Sequence, residues 1–261
     1  MTYCIVQYQI LPMTVFDEGR RLLVVVAHPD DETFGCGSLL LRAADAGVVT
    51  AVCCATRGDA GEWPEDLALP PGGIAEQREW ELHAAAEVLG VSRVEVLGLR
   101  DSGMEGDAGP ATLAGADAAV VADRVRRVVD DFRPDVIVTL DASDGHRDHA
   151  LVRDVTVAVA QQFGVPVYLY CLARRLMARW AEIMTERDPG SSYLHLGELG
   201  TPDEDIDLVL DTTAWYERRE RAIAVHRSQI SPFEGLPQDL RREWLTTEHL
   251  AGPIPGPGTE V

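Results

Sequence analysis

Two short clusters hold the residue types that metal and proton chemistry requires. One is His28-Pro29-Asp30-Asp31-Glu32; the other is His146-Arg147-Asp148-His149. In each, two ligand-type side chains stand three apart, a spacing that brings them to one side of a helical turn. Two histidines and one aspartate make a three-ligand set that leaves the fourth position of a tetrahedral zinc open, and the candidates are His28, Asp31 and His149. Asp30, beside a ligand but not needed as one, is then available to accept a proton from an attacking water. His146 is placed to donate to a developing oxyanion and to protonate a leaving amine. Asp148 is expected to hydrogen-bond the His146 ring and keep it cationic. Plainer roles compete: Asp30 or Asp31 as a helix cap, Glu32 in the first helical turn, Asp144 as a cap or turn residue.

The surrounding pattern says what must position these residues. Leu22–Ala27, Val48–Ala55, Val94–Leu97 and Asp135–Leu140 read as strands, with helical spacing at 37–46, 74–89, 114–132 and 151–163 between and after them. Alternating strand and helix with continuous Val/Ile/Leu strands predicts an α/β fold, a parallel sheet covered on both faces. Ligands of such sheets bind beyond the carboxyl ends of the strands, where both clusters fall. After Val165 the pattern loosens to a strand at 167–170, a helix at 174–186, a strand at 206–210 and a long helix at 213–227. The expected organisation is one domain, 1–251, with a C-terminal elaboration from about 165. Residues 252–261 are expected to form a disordered Pro/Gly tail, and Met1–Gly19 a leader strand or loose arm.

Composition removes several alternatives. A net charge of -20, from 43 acidic against 23 basic residues, disfavours nucleic acid and anionic membrane surfaces as partners. The chain contains no Lys and no Asn, so a Walker P-loop and a Schiff-base lysine are both excluded. Gly35-Cys36-Gly37 starts a dinucleotide fingerprint, but Leu40 stands where its third glycine belongs; no serine sits in a G-x-S-x-G elbow. Five cysteines without a C-x-x-C pair, two of them adjacent at 53–54, point to core residues in a reducing, cytoplasmic setting. His83 lies in a helix, and His195 and His249 lack acidic or cysteine neighbours at ligand spacing, so all three are expected in core or surface roles.

The motifs together are similar to the LmbE-like, or PIG-L, family of zinc-dependent N-deacetylases. Ala27-His-Pro-Asp-Asp-Glu32 and His146-x-Asp-His149 carry most of the resemblance. Thr56-Arg-Gly-Asp59 resembles the family's T-x-G-(E/D) loop, and Gln77–Glu81 its R-x-x-E helix. Asp101-Ser-Gly-Met104 matches its D-S-G-M loop and His226-Arg-Ser-Gln229 its C-terminal H-x-S-Q. The similarity runs from about residue 22 to 230. It implies a Rossmann-like, mostly parallel sheet and one zinc per chain on His28, Asp31 and His149, Fe(II) being compatible with the same donors. It further implies Asp30 as base, His146 tuned by Asp148 as acid and oxyanion donor, and Arg78, Asp101 and His226 around the substrate. The implied reaction is hydrolysis of an acetamide on an N-acetylglucosamine-containing small molecule. Two rivals are an amidase for a larger acyl group and a non-catalytic binding module. One departure stands out: Asp141–Gly145 lacks the aromatic gate that some members carry there. No motif specifies an oligomeric state.

Overall fold

The computed structural model describes residues 17–254. Most of the expected N-terminal arm and the tail from residue 255 therefore lie outside the described residues. Within them, β1 (Arg21–Val26), β2 (Val49–Thr56), β3 (Arg93–Leu99), β4 (Val136–Leu140), β5 (Val167–Cys171), β6 (Leu208–Asp211) and β7 (Thr247–Ile254) form one sheet in the order β3-β2-β1-β4-β5-β7-β6. The first five are parallel to one another, and β7 runs antiparallel between β5 and β6.

Period-two alternation along β1 divides the core. Leu22, Val24 and Val26 pack with Leu39–Leu41 of α2 (Gly37–Asp45) and with Leu82 and Leu89 of α3 (Gly73–Leu89). Leu23, Val25 and Ala27 face the other way, against α4 (Ala118–Phe132) and α5 (Arg147–Phe163). Both faces are buried, so the strand reads as an unbroken apolar run. Burying each such side chain contributes about 1.5–3 kcal/mol. Cys53 and Cys54 fall into opposite cores, and the four described cysteines are buried free thiols.

α4 begins four residues later than its apolar spacing suggests, because Asp117 caps it through the Ala119 N–H at 2.9 Å. The expected long helix at 213–227 is a short 3-10 turn followed by α7 (Tyr216–Ile223). α6 (Arg174–Arg187), α8 (Gln238–Thr246) and the Phe233 region build a third, smaller core. β7 continues through Ile254, so the first three residues read as tail are strand.

Strand order reverses between β1 and β4, which pair directly. Chains leaving these two strands diverge to opposite faces and open a crevice. The first cluster follows β1, the second follows β4, and Thr139 ties the strand ends together by donating to the Val25 carbonyl at 2.8 Å.

Candidate metal and active site

The crevice brings His28, Asp31 and His149 together. His28 Nδ1 lies 3.2 Å from His149 Nε2 and 3.6 Å from Asp31 Oδ2, and His149 Nε2 lies 3.3 Å from Asp31 Oδ2. Three ligands of a tetrahedral ion bound at 2.0–2.1 Å stand about 3.3 Å apart. The donor set therefore fits zinc. His28 also neighbours His146 with His149, and Asp101 with Asp148, but the outer ring nitrogens decide between the groupings. His28 Nε2 faces Asp148 at 3.2 Å and Asp101 at 3.4 Å, while His149 Nδ1 faces Asp144 at 2.6 Å. Carboxylates there take the ring N–H and leave the opposite nitrogen's lone pair for a metal; a neutral imidazole cannot offer both.

The electrostatics agree. Burial works against charging His149, yet Asp31 and Asp144 push its pKa up to about 10. His28 is likewise raised despite burial, by Asp101, Asp148 and Asp31. Asp31 is held well below the usual carboxylate range, His149 and His28 outweighing the cost of burial. Such a cage attracts positive charge, whether protons or a divalent cation.

Asp30 occupies a sharp bend with φ 123°, a backbone conformation that costs of order 1–3 kcal/mol in a non-glycine residue. Its N–H donates to Glu32 Oε2 at 2.9 Å, and its carboxylate receives Arg78 at 3.0 Å. Its side chain makes no helix-cap hydrogen bond to α1 (Asp31–Phe34). Burial pushes its pKa up to about 6, with Arg78 opposing and Asp31 adding to the rise. That value suits a base working near neutrality.

Several expected roles are revised. The Asp148 carboxylate does not bond the His146 ring; it accepts from Ser102 N–H at 3.0 Å and faces His28. His146 is the cap of α5, and its Nδ1 accepts the Asp148 N–H at 3.1 Å, which places the ring proton on Nε2. Burial, together with His28 and His149, lowers its pKa to about 4, which favours the neutral ring over the cation expected from its sequence neighbours.

Arg78, only 4% exposed, is spent on Asp30, the Pro29 carbonyl and the Gly58 carbonyl. Its two terminal nitrogens are thus engaged within the protein, while Nε has no hydrogen-bond partner among the described residues. Gly58, at φ 64°, explains its place in the 56–59 motif, because a Cβ there would overlap the Arg78 guanidinium. Asp101 faces His28 and accepts from Gly103 N–H at 2.8 Å. His226 Nε2 lies 2.9 Å from Glu32 Oε1, both side chains fully buried, and so braces the first cluster from behind.

Two residues near these groups carry no clear sequence signal, and of them Asp144 has a direct contact with a candidate ligand. Asp144 makes the expected turn, accepting from His146 N–H at 3.0 Å, and also orients His149. Tyr193 comes from the C-terminal elaboration, on a 3-10 turn (Ser192–His195). Burial raises its phenol pKa, and so do the charges of Asp144, Asp31, Asp30 and Asp101, while the ring meets Trp180 edge to face. Leu196 packs over Gly145, and Gly200 N–H reaches the Ser143 carbonyl at 2.9 Å. His83 and His195 are exposed and His249 lies beside Arg175, outside the site as expected.

A family model described as PIG-L, GlcNAc-PI de-N-acetylase, matches residues 23–160. The chain is 33% identical over 253 residues to a 1D-myo-inositol 2-acetamido-2-deoxy-alpha-D-glucopyranoside deacetylase of Kineococcus radiotolerans, covering 82% of this chain and 70% of the relative. It is 32% identical over 275 residues to the like-named protein of Thermobifida fusca, covering 91% and 96%. Among solved structures, a deacetylase of the teicoplanin biosynthesis pathway aligns with a TM-score of 0.62 at 19% identity, over 92% of this chain and 100% of that one. A likeness at that identity speaks to the fold alone.

Proposed function

Because the chain belongs to the PIG-L, GlcNAc-PI de-N-acetylase, family, we propose that it hydrolyses the acetamide of an N-acetylglucosamine-containing small molecule, releasing acetate and a free amine. The observation that carries this reading is the convergence of His28 Nδ1, His149 Nε2 and Asp31 Oδ2 within 3.6 Å of one another, next to a buried, raised-pKa Asp30. The relatives' named substrate makes an N-acetylglucosaminide of inositol the first compound to try.

His28, Asp31 and His149 would hold one zinc ion per chain, and Fe(II) suits the same donors. When bound, the ion supplies Lewis acidity to the water and the acetyl carbonyl. Asp30 accepts the proton of the attacking water as its oxygen bonds to the acetyl carbon. His146 Nε2–H donates to the oxyanion that develops on the former carbonyl oxygen. The C–N bond then breaks, and the proton held by Asp30 passes to the departing nitrogen, which otherwise leaves as a poor amide anion. Asp144 and Asp148 keep the two ligand rings in register.

No helix among the described residues is long and apolar enough to cross a membrane. Buried free thiols at Cys36, Cys53, Cys54 and Cys171 support a reducing, cytoplasmic setting. The test is metal analysis followed by acetate release from N-acetylglucosaminyl-inositol and from analogues with longer acyl chains. We expect about one zinc per chain and activity that chelation abolishes and metal restores. Full activity without metal overturns the mechanism, and preference for long acyl chains overturns the substrate.

A further inference from the structure

Arg147 separates the two histidines of the second cluster, and its guanidinium touches neither. It donates from Nε to the Gly103 carbonyl at 2.7 Å, from Nη1 to Gly106 at 2.7 Å, and from Nη2 to Glu105 at 2.8 Å and to Ser102. Four main-chain carbonyls of one five-residue stretch therefore converge on a single cation. Among the described residues Arg147 pairs with no carboxylate, although Glu105 and Asp107 stand in the same loop.

The stretch needs such a partner. It follows β3 at the carboxyl edge of the sheet and contains no helix or strand of its own. Gly103 and Gly106 both adopt positive φ, 60° and 78°, and glycines of this kind leave a free loop with many alternatives. A planar guanidinium with five N–H groups in a fixed fork can saturate carbonyls on several sides; an ammonium with three cannot reproduce that span. At its start the loop meets the metal site, since Ser102 N–H binds Asp148 Oδ2 and Asp101 faces His28 Nε2. Further along, Glu105, Gly106 and Asp107 are exposed at the rim.

We propose that Arg147 is a positioning residue that holds loop 102–106 as a preformed wall of the substrate site, setting affinity for the part of the substrate beyond the acetamide. The proposal rests on the deacetylase reading for its substrate and on the geometry alone for the clamp. Its test separates the two. Hydrogen exchange of Arg147→Ala and Arg147→Lys, with and without zinc, reads the clamp; KM and kcat for free N-acetylglucosamine and for its inositol glycoside read the wall. Amides of 102–106 should exchange at least about tenfold faster in both variants while the interior of α5 stays protected. KM for the glycoside should rise about tenfold with kcat and zinc content nearly kept, and the free sugar should be less affected. Added millimolar guanidinium should restore part of the Arg147→Ala loss, and Arg147→Lys should not rescue. Unchanged exchange in the loop overturns the clamp. Faster exchange with equal losses on both substrates overturns the wall. Absence of acetate release by the wild-type protein overturns the deacetylase reading and the wall with it, while the exchange result still decides the clamp.

Discussion

The Arg78 guanidinium lies 3.0 Å from the Asp30 carboxylate and donates to the Pro29 carbonyl at 2.8 Å, so the proposed base and the bend that presents it are gripped by one side chain. Arg78 opposes the rise in the Asp30 pKa. Asp30 must be ionised to accept a proton, so activity rises with pH through about 6. Removing the guanidinium moves that acid limb to higher pH. Arg78→Ala is also expected to lower kcat by about 10–10² through misplacement, with little change in KM. A large KM effect with an unmoved limb would return Arg78 to substrate binding.

Asp30→Asn keeps the shape and the Arg78 hydrogen bond but cannot take a proton. Zinc should stay and kcat should fall on the order of 10²–10⁴. Loss of zinc in this variant would make Asp30 a ligand.

His146 and His149 are alike in sequence and differ in role. In His149→Ala, metal and activity should fall together, since two ligands remain. In His146→Ala, zinc should be retained while kcat drops by about 10²–10³, the usual effect of losing one oxyanion donor. Metal analysis alone separates them, and equal loss of zinc in both would reverse the assignment.

Asp144→Ala removes the carboxylate 2.6 Å from His149 Nδ1. Zinc affinity, measured by competition with a chelator, should weaken about 10–100-fold. Unchanged affinity would reduce Asp144 to the turn residue its position in the sequence suggests.

His226→Ala takes the imidazole from fully buried Glu32, which keeps only the Asp30 N–H and the Thr33 hydroxyl. Breaking such a pair costs about 3–5 kcal/mol, so the melting temperature should fall while KM changes little. A raised KM at constant stability would instead place His226 against the substrate.

The convergence of His28, Asp31 and His149 was legible because His28 and Asp31, and His146 and His149, sit three apart on the segments that follow apolar strands, and a parallel sheet delivers both strand ends to one crevice. The partners of those rings were not. Which nitrogen a histidine presents depends on ring rotation and on donors from distant elements, so Asp148 was matched with its neighbour His146 rather than with His28, 120 positions away. Arg78 and His226 were placed near the site but not within the protein's own hydrogen-bond network, which spacing does not encode. In the fold, β1 to β5 followed from their apolar runs. β7 was missed because Gly252 and Pro253 resemble a tail, and its place depends on pairing with β5 and β6 rather than on local preference.

The position of β7 also orders the birth of the molecule. Among the described residues β6 has no sheet neighbour except β7, which is made almost 40 residues later. On the ribosome, β1 to β5 can assemble and bring both histidine clusters together while β5 still ends in an unpaired edge. Until residues 247–254 emerge and slide between β5 and β6, that edge is open to strands of other nascent chains. A chain stopped before Thr247 would thus hold a nearly complete catalytic crevice on a sheet prone to self-association.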